Sequence, residues 1–208
     1  LPLGPVIDGD LLPRSPLEAL ADGVSADIPL VVGSTDDEFT MITARARRLL
    51  DLAPVPLALA LLGLGRSRRR AYLARSRRRG GAARLGGYVS DRVIRSVVLR
   101  TARARASAPT WVYRFAWASP SIGYACHCLD VPFWFDHLDA DGVSAIAGEA
   151  PPADLAAAMH TAAVHFVRDG DPGWAGWDAT ARRTRVFGAP ASTPSVETDA
   201  YADVAPLV

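Results

Sequence analysis

IPLVVGSTDDEF, Ile28 to Phe39, is the stretch on which the reading of this 208-residue chain turns. Its first half, Ile28 to Gly33, is a brief apolar run ending in glycine, the pattern of a short buried strand. Its second half carries Asp36, Asp37 and Glu38 in succession, ahead of an amphipathic segment that continues to about Leu50. Acidic residues suit the first turn of a helix, where they meet the positive end of its dipole. That reading makes Asp36 and Asp37 helix-terminus charges.

A second stretch, GYACHCLDVPFWF from Gly123 to Phe135, follows an alternating aromatic strand pattern at Thr110 to Trp117. It places His127 in a loop about ninety residues beyond Glu38. A carboxylate and an imidazole suit each other chemically: the carboxylate can orient the imidazole and stabilise its charged form, and the imidazole can then serve as a base. A carboxylate before a histidine is also the chain order of acid and base in α/β-hydrolases. Alone, that order has little specificity.

Between and beyond these stretches the pattern alternates. Leu17 to Ala21 reads as a short helix, 54–64 and 66–79 as two more, and Gly80-Gly81 and Gly86-Gly87 as loop punctuation. Ser90-Asp91 reads as the cap of a long helix. Asp154 to Asp169 is amphipathic, with Leu155, Met159, Ala163 and Phe166 on one face. Arg185 to Gly188 reads as a late strand and Thr198 to Leu207 as a final helix. Strands separated by helices argue for α/β architecture. Three good strands are few for a complete doubly wound sheet, which suggests the edge part of a larger one.

Composition narrows the partners. Half the residues are hydrophobic and net charge is +1, so the chain is no disordered tail and has no global pull toward nucleic acid. Every basic side chain is arginine. The longest apolar run, 55–64, is about ten residues against the roughly 20 that a membrane span needs. Cys126 and Cys128 flank His127 too closely for an ordinary disulfide. The compartment is therefore undetermined, with a lean to the cytoplasm. Metal ligation by this trio is not expected, because adjacent side chains in extended chain point apart. His137, His160 and His165 have no partner pattern and read as surface or core residues, and the aromatics of 111–135 read mostly as core.

On these residues the chain resembles the type-B carboxylesterases, which include the bacterial para-nitrobenzyl esterases and the cholinesterases. The family's G-x-(N/T)-x-D-E-G motif stands here as Gly33-Ser-Thr-Asp-Asp-Glu38-Phe39, with Phe39 in place of the closing glycine. Its H-(G/A)-x-(E/D)-(L/V)-P-F-x-F motif stands as His127-Cys-Leu-Asp130-Val-Pro-Phe-Trp-Phe135, with Cys128 in place of the small residue. The resemblance extends to Gly4 to Pro13, to Ser90-Asp-Arg-Val-Ile94, and to the run from Phe166 to Pro172 through Trp174 or Trp177 to Arg185-Val-Phe-Gly188. It implies that 1–208 is the C-terminal portion of an α/β-hydrolase: the C-terminal part of the sheet with its flanking helices. It implies Glu38 as the acid and His127 as the base of a Ser-Glu-His triad acting on small-molecule carboxylic esters, with no cofactor or metal. Asp130 itself reads as a carboxylate that supports the base by fixing its loop, or as a plain solvent contact.

The nucleophile elbow G-x-S-x-G does not occur in the chain, nor does a Gly-rich oxyanion segment. The expected partner is therefore an N-terminal half of the same enzyme, and the isolated chain is expected to be close to inactive. A nicked enzyme, a truncated gene and a natural two-chain enzyme would each give such a chain. The surface meeting the other half should be exposed and apolar.

The arginine run, nine between Arg66 and Arg84, stands outside this reading. It reads as a solvated helix face. The alternative is a non-catalytic interaction module, or a degenerate esterase fragment, with an arginine-rich binding face. The run lacks the interleaved aromatics of single-strand binders, so nucleic acid is not the expected partner.

Overall fold

The computed structural model describes residues 5–76, 78, 80–188 and 195–208. Gly4 of the opening motif and Arg77 and Arg79 of the arginine run lie outside the described residues. A short helix, α1 (Pro16–Ala21), comes first; Ser15 caps it, accepting from the Glu18 N–H. Four strands form one sheet in chain order: β1 (Leu30–Thr35), β2 (Thr110–Phe115), β3 (Arg183–Phe187) and β4 (Ser195–Thr198). The first three are parallel, and β4 runs antiparallel to β3. Leu30 pairs with Thr110 and Thr35 with Phe115, so β1 and β2 end side by side. Loops at the carboxyl ends of parallel strands are where such sheets place their sites.

The crossover from β1 to β2 holds α2 (Thr40–Ala44), α3 (Arg47–Leu50), α4 (Val55–Leu61), α5 (Arg66–Arg75), α6 (Gly81–Ser90), a π-helical turn (Asp91–Arg95) and α7 (Ser96–Ala104). The crossover from β2 to β3 holds α8 (Val131–Trp134), α9 (Val143–Ala147) and α10 (Ala153–Asp169). Alternation along β2 divides the core. Val112 packs with Val55, Leu59, Tyr72, Leu99 and Val204. Phe115 packs with Leu129, Phe133, Leu155, Met159 and Phe187, and Trp111 and Tyr113 lie against the same cluster.

Several expectations differ from what the chain adopts. The helix read over 66–79 ends at Arg75, where Ser76 turns extended. The amphipathic segment after Glu38 is two short helices starting only at Thr40. The glycines at 80–87 are not loop punctuation, because α6 begins at Gly81 and runs through Gly86 and Gly87. They serve close packing: a β-carbon on Gly81 would sit 1.9 Å from the Leu50 carbonyl oxygen, and one on Gly86 would sit 2.3 Å from Thr43 Oγ1. Ser90 and Asp91 cap nothing; both are helical, and α6, the π turn and α7 follow one another without a break. The C-terminal stretch is no helix: β4 ends at Thr198, Asp199 turns the chain at φ 53°, and only Ala205–Leu207 forms a 3-10 turn.

Candidate active site

The pairing of β1 with its neighbours continues past Thr35 into the acidic loop. The Asp36 N–H donates to the Phe115 carbonyl at 3.0 Å, and the Asp37 N–H donates to the Ala125 carbonyl at 2.9 Å. Asp37 and Cys126 thereby form an isolated parallel bridge, which clamps the loop bearing Glu38 to the loop bearing His127. Glu38 is 6% exposed. Its Oε1 accepts from the Thr35 N–H at 2.9 Å, and its Oε2 lies 2.5 Å from His127 Nδ1. A carboxylate only accepts, so the Nδ1–H donates and Nε2 is the remaining basic nitrogen.

His127 stands between two anchors. Cys126 and Leu129 are buried, whereas the His127 side chain is half exposed at 51%. Among the described residues no group hydrogen-bonds its Nε2. The Phe39 ring stacks on the imidazole, with centroids 5.8 Å apart and an interplanar angle of 19°. Cys128 is left-handed at φ 62°, a conformation that a residue with a β-carbon adopts at a cost. Both thiols are free, and burial pushes both above their ordinary value, so neither is primed as a nucleophile.

Asp130 lies on the next turn, with Val131 N–H donating to the Cys128 carbonyl beneath it. It is buried, and its Oδ2 accepts from the Tyr113 hydroxyl at 2.9 Å. Burial raises the Asp130 carboxyl; the Tyr113 bond opposes that rise and the charge of Glu38 adds to it. Tyr113 reaches Asp130 by crossing Gly33, which has no β-carbon to block the ring. The glycine opening the acid motif thus makes room for the side chain that steadies the carboxylate in the histidine motif.

Asp36 and Asp37 are not helix-terminus charges, because α2 starts beyond them and their partners are arginines. Asp36 takes a two-pronged bond from Arg114, Nε to Oδ1 at 2.6 Å and Nη2 to Oδ2 at 2.8 Å. Burial acts to raise the Asp36 carboxyl, but Arg114, Arg95 and Arg78 together hold it below the usual range. Arg78 donates to Asp37 Oδ1, the Asp36 carbonyl and Asp91. Arg95, fully buried, joins Asp91 at 2.6 Å and Asp203 at 3.0 Å. Arg78 is therefore spent inside the molecule rather than on a binding face, while Arg66, Arg68 and Arg70 are exposed on α5.

Sequence reasoning gives Tyr113, Arg114 and Arg78 no part in this region, and it places Phe39 in the acid motif without its contact to the imidazole. Arg114 alone carried a signal: a single charge within an aromatic strand requires a buried partner. His160 Nδ1–H donates to the Trp134 carbonyl at 3.1 Å, and His137 and His165 are exposed. Phe115 and Phe133 are core, but Phe135 is 72% exposed. Among the described residues no three His, Cys, Asp or Glu side chains converge as a metal site. No helix among them is long and apolar enough to cross a membrane.

A mixed sheet with parallel strands, helices on both faces and an acidic loop meeting a histidine loop at the strand ends is part of an α/β-hydrolase fold. Within that class the chain is similar to carboxylesterases, in sequence and in structure. It is 28% identical over 204 residues to the para-nitrobenzyl esterase of Bacillus subtilis, covering 87% of this chain and 38% of that protein. It is 31% identical over 182 residues to the phenmedipham hydrolase of Pseudarthrobacter oxydans, covering 81% of this chain and 35% of that protein. A Geobacillus stearothermophilus carboxylesterase superposes with a TM-score of 0.79 at 28% identity, over 98% of this chain and 45% of its own. The chain thus spans less than half the length of these relatives. No family model matches it.

Proposed function

We propose that the chain is the C-terminal portion of a serine carboxylesterase domain and supplies its acid, Glu38, and its base, His127. The observation that carries this is the 2.5 Å contact between Oε2 and Nδ1, joining residues 89 apart in sequence. Such a contact orients the ring and stabilises its protonated form. The nucleophilic serine and the oxyanion donors belong to an N-terminal half of the same enzyme.

In the first half-reaction His127 Nε2 takes the serine hydroxyl proton as that oxygen attacks the ester carbonyl. The same proton then passes to the departing alcohol, leaving an acyl-enzyme. In the second half-reaction Nε2 takes a proton from water, whose oxygen attacks the acyl carbon, and returns it to the serine as the carboxylic acid leaves. Glu38 stays a hydrogen-bond acceptor and counter-charge throughout. Asp130, braced by Tyr113, holds the loop that follows the base.

The position of β1 supports a second half. It is the terminal strand in the sheet order, and no described strand pairs with its outer edge. Beside it Val31, Tyr113, Trp134, Phe166 and Val167 line an apolar groove of about 310 Å³. A further strand and its helix would cover both the open edge and the groove, as unpaired edges require.

The test is fluorophosphonate labelling of a native preparation. A labelled companion larger than this chain is the expected result. A label on the 208-residue chain itself would overturn the assignment of the nucleophile.

A further inference from the structure

Phe39 stacks on the imidazole of His127, yet the reaction gives it no part. We infer that Phe39 is a positioning residue for His127: its ring, stacked on the imidazole, fixes the plane in which Nε2 is presented. This rests on the reading of His127 as the base.

The half-exposed His127 ring is tethered at one atom, Nδ1, by Glu38. One hydrogen bond sets where Nδ1 lies but allows the ring to rock about it. A second constraint across the ring face removes that freedom. Centroids 5.8 Å apart at 19° lie within the offset-stacked range that aromatic pairs favour. Phe39 can act as a fixed wall because its own backbone is anchored. Its N–H donates to Ser90 Oγ at 2.8 Å, and that hydroxyl donates in turn to the Gly86 carbonyl at 3.2 Å. Phe39 also directly follows Glu38, so one short loop supplies both constraints on the ring. The anchor is made by main chain, so changing the Phe39 side chain leaves the loop in place.

The consequence is orientational. A base that must meet a serine hydroxyl within hydrogen-bond reach loses rate when its ring wanders, and in the assembled enzyme kcat should fall about tenfold with KM little changed.

The decisive experiment reads ring order in the chain itself. Histidine is labelled with ¹³C at Cε1, and relaxation is compared in wild type, Phe39→Ala, Phe39→Leu and Phe39→Tyr. The His127 Cε1–H order parameter should fall from about 0.8 to below about 0.6 in the Ala and Leu variants and stay at the wild-type value in Tyr. An unchanged order parameter in Ala, or full restoration by Leu, would overturn the proposal. If Ala costs too much packing, the Leu and Tyr pair carries the test, since both fill the site and only one has a ring. The catalytic reading fails on a separate measurement, ester turnover that survives His127→Ala, whatever the ring order proves to be.

Discussion

The Tyr113 ring lies against Gly33 so closely that a β-carbon on Gly33 would sit 2.3 Å from its Cδ1 and 2.4 Å from its Cγ. These are atoms at the root of the ring, not the end of a mobile chain, so the tyrosine cannot give way by a small swing. Gly33→Ala should displace Tyr113, break its bond to Asp130 and destabilise the chain by roughly 1–3 kcal/mol, as overpacking does. Chemical denaturation of the variant measures it. A midpoint equal to the wild type would mean that the ring has room to move.

The cluster around Asp36 gives stability a pH dependence. Its carboxyl is held below the ordinary 3.8, so between its folded value and 3.8 the unfolded chain binds a proton that the folded chain does not. Stability from this group is fully present above 3.8 and is lost as pH falls through the folded value. Asp36→Asn should remove that part of the acid slope and cost about 3 kcal/mol at neutral pH, because Arg114 and Arg95 lose a charged partner. Urea titrations at several pH values between roughly 2.5 and 7 test both statements. An acid limb as steep in the variant as in the wild type would refute the assignment.

Cys128 carries its side chain at φ 62° directly after the proposed base. Glycine has no β-carbon to strain there, so Cys128→Gly should stabilise the chain by up to about 1 kcal/mol, after its greater unfolded-state entropy is set against the relief. Thermal unfolding measures the shift. A fall in midpoint of several degrees would mean that the thiol contributes packing that outweighs the strain.

Much of the fold could be read because its signals are local. The apolar run before Gly33, the aromatic alternation of β2 and the periodicity of α10 all report burial that the chain's own pattern records. Local pattern misleads where tertiary partners override local preference. Asp36, Asp37 and Glu38 look alike in sequence, but only Glu38 meets the imidazole, and the other two are claimed by arginines from 78 and 114. The glycines of α6 look like breakers until Leu50 and Thr43 are placed against them. Ser90-Asp91 resembles a cap, but Asp91 is fully buried and holds Arg78, Arg95 and the Tyr72 hydroxyl. The stack of Phe39 on His127 left no trace in pattern, since it joins two distant loops through a single face.

The central claim is that His127, oriented by Glu38, is the base of an ester hydrolase completed by another segment. The measurement that tests it is hydrolysis of 4-nitrophenyl acetate by the chain assembled with its nucleophile-bearing half, compared for wild type, His127→Ala and Glu38→Gln. The account predicts negligible turnover by the chain alone. It predicts robust turnover by the assembly, and losses of at least about 10³-fold for His127→Ala and smaller but clear losses for Glu38→Gln. Turnover undiminished by His127→Ala, or robust turnover by the pure chain, would contradict it.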